Sequence, residues 1–205
     1  MAKLTPSFNQ KDVEVLQDKQ VYQGYHRMTT YNLSIPKFHG GIMNVQREIL
    51  HRPEAVVVIP YDPQLDRVVL IEQFRAACVG YQQSPWMIEF VAGLMDREGE
   101  QIHEVAQREL FEEAGLTAKS FEVIASYWVN PGCMDERVHM LCAHVDAKEV
   151  SGIFGNPEEQ EDIRVFSLST QEAIQALYEG SMNHSAAWIG MMWLQQNHRR
   201  LQQEW

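Results

Sequence analysis

The stretch from Ile102 to Leu116 constrains this chain more than any other, because it reads as a helix whose apolar side also carries carboxylates. At about 100° per residue, Ile102, Val105 and Ala106 fall on one side of the helix. Glu109 and Glu113, four residues apart, fall on that same side, and Glu112 lies on its flank. A solvated acidic face would lie opposite the apolar stripe. Here the glutamates extend the stripe, so the core-facing side takes two like charges with it. Unpartnered buried carboxylates are costly, and at this spacing they also repel each other. A divalent cation relieves both costs. Carboxylate oxygens with few other ligand types suit Mg2+ or Mn2+ rather than zinc.

The surroundings of this helix predict the rest of the architecture. Ala55–Pro60 and Val68–Ile71 are β-branched runs flanking an Asp/Pro turn, which predicts a hairpin. Trp86–Ala92 reads as one strand that ends at Gly93. The loop from Gly93 to Gly99 then lies between strand and helix, where backbone can approach a ligand and a helix N-terminus attracts phosphate. The helix is expected from about Glu100 to Ala114, with Gly115 suited to a left-handed cap. Strands are expected at Phe121–Trp128, Val138–Val145 and Ile163–Ser167. Ser169 to Glu172 has capping-box spacing and announces a helix through Leu177 that stops near Gly180. Ala186–Leu201 shows helical spacing and reads as a closing helix. Residues 11–50 contain strand-like stretches such as Thr29–Ile35. The pattern predicts an α/β fold with a small N-terminal β-sheet subdomain.

Composition removes several function classes. With 17 Lys and Arg against 28 Asp and Glu, the formal net charge is −11. No basic run offsets it, so nucleic acid is not an expected partner. An anionic ligand would need cations to bridge it to this surface. No apolar run approaches the roughly 18 residues that cross a bilayer, and the start, Met1 to Pro6, lacks the apolar segment of a secretory signal. Cys78, Cys133 and Cys142 form neither a zinc pattern nor a disulfide framework, which points to a reducing cytoplasm. His103 and His139 show no ligand spacing and read as surface or packing residues.

The residues at fixed distances resemble a known signature. Gly93, Glu100, Arg108, Glu109, Leu110, Glu112, Glu113, Gly115 and Leu116 match the Nudix box, Gly-x5-Glu-x7-Arg-Glu-U-x-Glu-Glu-x-Gly-U with U apolar. Six residues rather than five separate Gly93 from Glu100, and the extra one lies in the loop before the helical register begins. From about residue 11 onward the chain is similar to the ADP-ribose pyrophosphatase branch of that superfamily. The similarity rests on Ile71–Arg75, Pro85-Trp86, Pro131 fifteen positions after Leu116, Glu158–Val165, and the Trp-Leu-Gln near the end.

The resemblance implies a Nudix-type α/β/α sandwich with a mixed sheet over residues 51–205. It also implies an N-terminal β subdomain, residues 1–50, serving dimerisation and substrate contact. It implies Glu109, Glu113, Glu112, Glu161 and the Ala92 carbonyl as metal ligands for two or more Mg2+ ions, with Mn2+ as a substitute. Arg108 would orient the glutamates. Glu159 would be the general base, with Glu158 and Glu161 as the rival carboxylates in that loop. Arg75, Arg47 and Glu136 would contact substrate, and Tyr25 would stack on adenine from a partner subunit. Arg47 reads equally well as a surface arginine at a strand end, and Tyr25 as ordinary sheet packing. The glycine-containing segment Gly152–Pro157 would serve as a lid.

The activity implied is Mg2+-dependent hydrolysis of ADP-ribose to AMP and ribose 5-phosphate by a cytoplasmic homodimer that exchanges N-terminal strands. Two alternatives stand beside it. A related nucleotide-sugar pyrophosphatase, of the GDP-mannose type, would use the same box. A non-catalytic module that binds ADP-ribose is the other, although such modules usually lose box glutamates that this chain keeps.

Overall fold

A computed structural model of the chain describes residues 4–205. Part of the N-terminal segment read for a secretory signal, residues 1–3, lies outside the described residues. Two compact units are present: one holds residues up to Pro53 together with Trp128–Glu136, and the other holds Glu54–Tyr127 and Arg137–Trp205.

The first unit is a three-stranded antiparallel sheet in the order β1 (Glu14–Gln23), β2 (Arg27–Pro36) and β3 (Ile42–His51). Every residue of β1 is exposed. The segment from Trp128 to Glu136 is tied to β3 by Leu50 N–H donating to the Cys133 carbonyl at 2.9 Å, and by Asp135 N–H donating to Leu50 at 3.2 Å. His51 lies between buried Thr29 and Asp135, at 2.9 and 2.5 Å.

The second unit is built on β4 (Ala55–Asp62), whose eight residues are all buried. A strand buried on both faces needs a continuous apolar run rather than alternation, and Ala55–Ile59 supplies it. β4 pairs antiparallel with β5 (Arg67–Phe74) and with β7 (Val91–Leu94), and parallel with β9 (Arg137–His144). β6 (Trp86–Glu89) pairs with β5, and β8 (Ser120–Trp128) lies beyond β9. The other edge is β11 (Ile163–Ser169) followed by β10 (Gly152–Phe154), so the sheet is mixed. Val56, Val58, Ile71 and Leu141 pack with Val105, Ala106 and Leu110 of α1 (Ile102–Ala114). On the other face, α3 (Ser185–Glu204) brings Gly190 so close to Phe90 and Ile59 that a Cβ there would lie 2.6 Å from the Phe90 ring. α2 (Thr170–Tyr178) precedes it. The result is the expected α/β/α sandwich with a mixed sheet. No helix of the described residues is long and apolar enough to cross a membrane.

Three local expectations need correction. The strand expected over Trp86–Ala92 is two strands, because at buried Phe90 the chain passes from pairing with β5 to pairing with β4. Helix α1 starts at Ile102 rather than Glu100, since Gln101 is extended (φ −91, ψ 155) and caps the helix in a capping box with Glu104. It ends as expected at Gly115 (φ 65), with Leu116 N–H donating to Leu110 and Gly115 N–H to Phe111. The segment Gly152–Pro157, expected as a loop, contributes β10 and opens a short 3-10 turn at Pro157–Glu159.

One polar knot joins the β4–β5 turn to α2 and α3. Asp66 Oδ1 accepts from the Tyr61 hydroxyl at 2.9 Å and from the Thr170 hydroxyl at 2.7 Å, with His198 Nδ1 at 3.3 Å. Burial works to raise this carboxyl, but the Thr170 and Tyr61 hydroxyls and then His198 hold it below its ordinary value. A depressed carboxyl stabilises the fold above its unfolded pKa and loses that contribution as pH falls through the folded value. Asp66→Ala leaves the buried Tyr61 hydroxyl with the longer bond to the His198 carbonyl at 3.5 Å and should cost about 1–3 kcal/mol at pH 7. Denaturant unfolding of wild type and variant checks this, and the gap should narrow below about pH 4.

Candidate active site

The expected carboxylates come together on one side of α1. Glu109 and Glu113 are 8% and 2% exposed, among the buried side chains of an otherwise apolar stripe. The position of Glu109 depends on Gly93 in β7, where an added Cβ would lie 1.9 Å from Glu109 Oε1. Glu113 Oε2 accepts the Ala92 backbone N–H at 3.0 Å. The paired arrangement of β7 with β4 holds Ala92 and Gly93 in place beneath the helix.

Arg108 organises the flank. It holds Glu100 in a two-point pair, with Nε to Oε1 at 3.0 Å and Nη2 to Oε2 at 3.2 Å. Its Nη1 pairs with Glu109 and lies 3.5 Å from Glu112. Nη2 also donates to the Leu94 carbonyl at 3.3 Å, so one guanidinium links helix, loop and strand. The extra loop residue leaves Glu100 able to reach Arg108.

The later loop supplies Glu159 and Glu161, and Asn156 arranges both. Its side-chain amide donates to Glu159 Oε1 at 2.9 Å and its backbone N–H to Glu161 Oε2 at 3.2 Å. Its Oδ1 accepts from Glu158 N–H at 3.0 Å, which caps the short turn. Gln160, with φ 59, then turns the chain between the two glutamates. Gln73 on β5 donates to Glu161 Oε1 at 3.2 Å, while its own buried carbonyl oxygen lacks a partner. The loop is docked on the helix by Gly155 N–H donating to the Glu112 carbonyl at 3.3 Å.

Arg75 is held by Glu89 through three contacts between 2.7 and 3.2 Å. Burial disfavours its charge, and Glu89 more than offsets that, with Glu113 and Glu161 adding to the attraction. The remaining expected residues lie in the first unit. Tyr25 is 86% exposed, its ring edge-on to His26. Arg47 is exposed and donates to the Gln46 carbonyl at 2.7 Å. Glu136 pairs with Arg52 at 2.9 Å. Sequence pattern alone does not single out Gln73, Glu89, Asn156 or Arg52. Gln73, Glu89 and Arg52 are marked by partners elsewhere in the chain, whereas Asn156 contacts Glu158, Glu159 and Glu161 of its own loop; Glu89, a charge in a strand next to the box, carries a local signal.

The site is electrostatically loaded. Burial pushes the Glu109 carboxyl up to about 7, with Arg108 opposing and Glu112 and Glu159 adding to the rise. Glu113 is raised well above the ordinary glutamate range by burial, with Glu109 and Glu161 reinforcing it against the Ala92 N–H and Arg75. Among the described residues no three His, Cys, Asp or Glu side chains stand together as a finished metal cage. Glu109 and Glu113 are instead engaged by Arg108 and by a backbone N–H. The donor set nevertheless fits a hard cation: carboxylate oxygens from two elements, buried in surroundings that disfavour their charge, beside an unpartnered amide oxygen.

Residues 51–186 match the NUDIX domain family. The chain belongs to the Nudix family. This Nudix chain is 39% identical over 203 residues to the ADP-ribose pyrophosphatase of Escherichia coli (strain K12), covering 98% of this chain and 97% of the relative. It is 38% identical to the ADP-ribose pyrophosphatase of Haemophilus influenzae, over 97% and 93% of the two chains. A GDP-mannose pyrophosphatase of an Enterobacter strain is 25% identical over 89% and 95%. The Nudix fold extends to a solved ADP compounds hydrolase, with TM-score 0.69 and 21% identity over 93% and 98% of the chains.

A raised carboxyl has a definite consequence for stability. Folded Glu109 keeps its proton to about pH 7, whereas the ordinary value is 4.5. Its contribution is therefore full below 4.5 and is lost as pH rises through about 7. In EDTA the unfolding free energy should fall across that window, and saturating Mg2+ should flatten the fall. Urea unfolding across the window from 4.5 to about 7 checks the trend.

Proposed function

We propose that this Nudix protein hydrolyses ADP-ribose to AMP and ribose 5-phosphate in a Mg2+-dependent reaction, with Mn2+ as a substitute. The observation that carries the reading is the likeness over nearly the whole chain, N-terminal sheet included, to relatives named for that activity. The buried glutamates of α1 support the chemistry. GDP-mannose pyrophosphatases share less of the sequence, which favours ADP-ribose over that alternative, and the retained Glu109, Glu112 and Glu113 favour an enzyme over a binding module.

In this reading Glu109 and Glu113 hold the ions, with Glu112, Glu161 and the Ala92 carbonyl completing the shell. Bound Mg2+ supplies positive charge for the diphosphate and acidity for the attacking water. Arg108 fixes the carboxylates, and Glu100 fixes Arg108. Glu159 takes the proton from the water, and its contribution to the field at Glu109 favours it over the neighbouring Glu158. The water oxygen bonds to one phosphorus, the bond from that phosphorus to the bridging oxygen breaks, and the bridging oxygen leaves on the other phosphate. Arg75, released from Glu89 by a stronger anion, balances charge on the diphosphate.

Residues 1–50 serve as the dimerisation and substrate-contact subdomain and residues 51–205 as the hydrolase domain. The fully exposed β1 supports a homodimer that exchanges N-terminal strands, with Tyr25 stacking on the partner's adenine and Arg47 and Glu136 contacting ribose and phosphate. The free cysteines support action in the reducing cytoplasm. Purified protein with ADP-ribose and Mg2+ should yield AMP, and both EDTA and Glu113→Gln should reduce the rate at least about 100-fold. Cleavage of GDP-mannose in preference to ADP-ribose would overturn the substrate, and no cleavage of any nucleotide sugar would overturn the enzyme.

A further inference from the structure

One strand beneath the glutamates ends its apolar row on a polar side chain. Alternate residues of a strand share a face, so Val69, Ile71 and Gln73 of β5 stand in one row. Val69 and Ile71 are fully buried in the core that α1 covers. Gln73 closes the row and is only 8% exposed. A buried amide costs stability unless its groups are paired, so this residue type needs a reason here.

The neighbours of the amide supply it. The Gln73 nitrogen donates to Glu161 Oε1 at 3.2 Å, and the Asn156 backbone N–H donates to Glu161 Oε2 at 3.2 Å. Both oxygens of Glu161 are thus held, one from β5 and the other from its own loop. The base of this grip is firm: Arg164 Nε meets Glu72 Oε2 at 2.6 Å and fastens the start of β11 to β5 beside Gln73. A carboxylate only accepts, so the amide nitrogen faces Glu161 and the amide oxygen faces the other way. That oxygen is buried and has no hydrogen-bond partner among the described residues.

Other side chains would not serve at position 73. Glu109, Glu113, Glu159 and Glu161 already gather negative charge at this site. Another carboxylate would add to the repulsion and would offer Glu161 no donor. A lysine or arginine would hold Glu161 but neutralise it. An apolar side chain would leave Glu161 Oε1 without its donor. The amide fixes the carboxylate and leaves its whole charge to a cation, and its second oxygen is an acceptor for the waters that Mg2+ retains when bound.

We propose that Gln73 is a positioning residue that holds Glu161 in the cation site and thereby sets the affinity for the ion. The inference rests on the reading above that places Glu161 among the ligands. The test is Mn2+ binding to the whole protein, followed by electron paramagnetic resonance, in wild type, Gln73→Met, Glu161→Gln and the double variant. Gln73→Met keeps the length of the side chain and removes both polar atoms. It should weaken Mn2+ binding about tenfold, but less than about twofold where Glu161 is already replaced. Wild-type affinity in Gln73→Met overturns the proposal. So does an equal loss in both backgrounds, which marks a packing defect that does not act through Glu161. Should Gln73→Met fail to fold, Gln73→Asn takes its place in the cycle with the same expected losses, because it draws the amide back by one methylene. If wild type binds no Mn2+, the metal reading itself falls. If wild type binds it and Glu161→Gln binds it equally well, only the role of Glu161 falls, and the positioning proposal is overturned in either case.

Discussion

Two carboxylates buried against a sheet dictate where the groups around them stand. Glu109 and Glu113 occupy the apolar side of α1, so the strand beneath must be bare enough to admit them. Gly93 meets that demand for Glu109, and the Ala92 N–H meets it for Glu113. Because β7 is pinned between β4 and the helix, a side chain at position 93 would displace the glutamate rather than the strand. Arg108 answers the remaining charge, and Glu100 answers Arg108. The box is therefore a set of mutual compensations, each of which makes the next residue necessary.

The same constraint reaches the second carboxylate source. Gly155 donates to the Glu112 carbonyl, and the Phe154 ring lies against Gly115, so β10 and the following loop are seated on the last turn of α1. Asn156 then distributes Glu159 and Glu161 to different neighbours. Glu161 contributes to the field at Glu113, and Glu159 to that at Glu109. A carboxylate from a loop far along the chain thus acts on each helix glutamate. Arg75 opposes this accumulation from the strand side while Glu89 keeps it charged and in place.

Local periodicity and local chemistry account for what the sequence made legible. The stripe through Ile102, Val105, Ala106, Glu109 and Glu113 is a property of one helix, and Gly115 and the Ser169 cap are properties of single turns. The β-branched runs that became β4 and β5 needed no distant partner to be read. Phe90 is different, because the break there depends on which strands neighbour it and on Gly190 across the sheet. β10 is three residues long and exists through its pairing with β11. Gln73, Glu89 and Asn156 were not legible as site residues because their significance lies in what they touch.

In the proposed function, Glu109 and Glu113 are buried where a cation would hold them. Calorimetric titration of the protein with Mn2+ at about pH 6, in buffers of different ionisation heat, tests it by counting protons released. Binding is expected with release of about one proton per chain or more, and with loss of that binding in Glu109→Gln and in Glu113→Gln. Equal Mn2+ affinity in wild type and both variants, with no proton release, would contradict it.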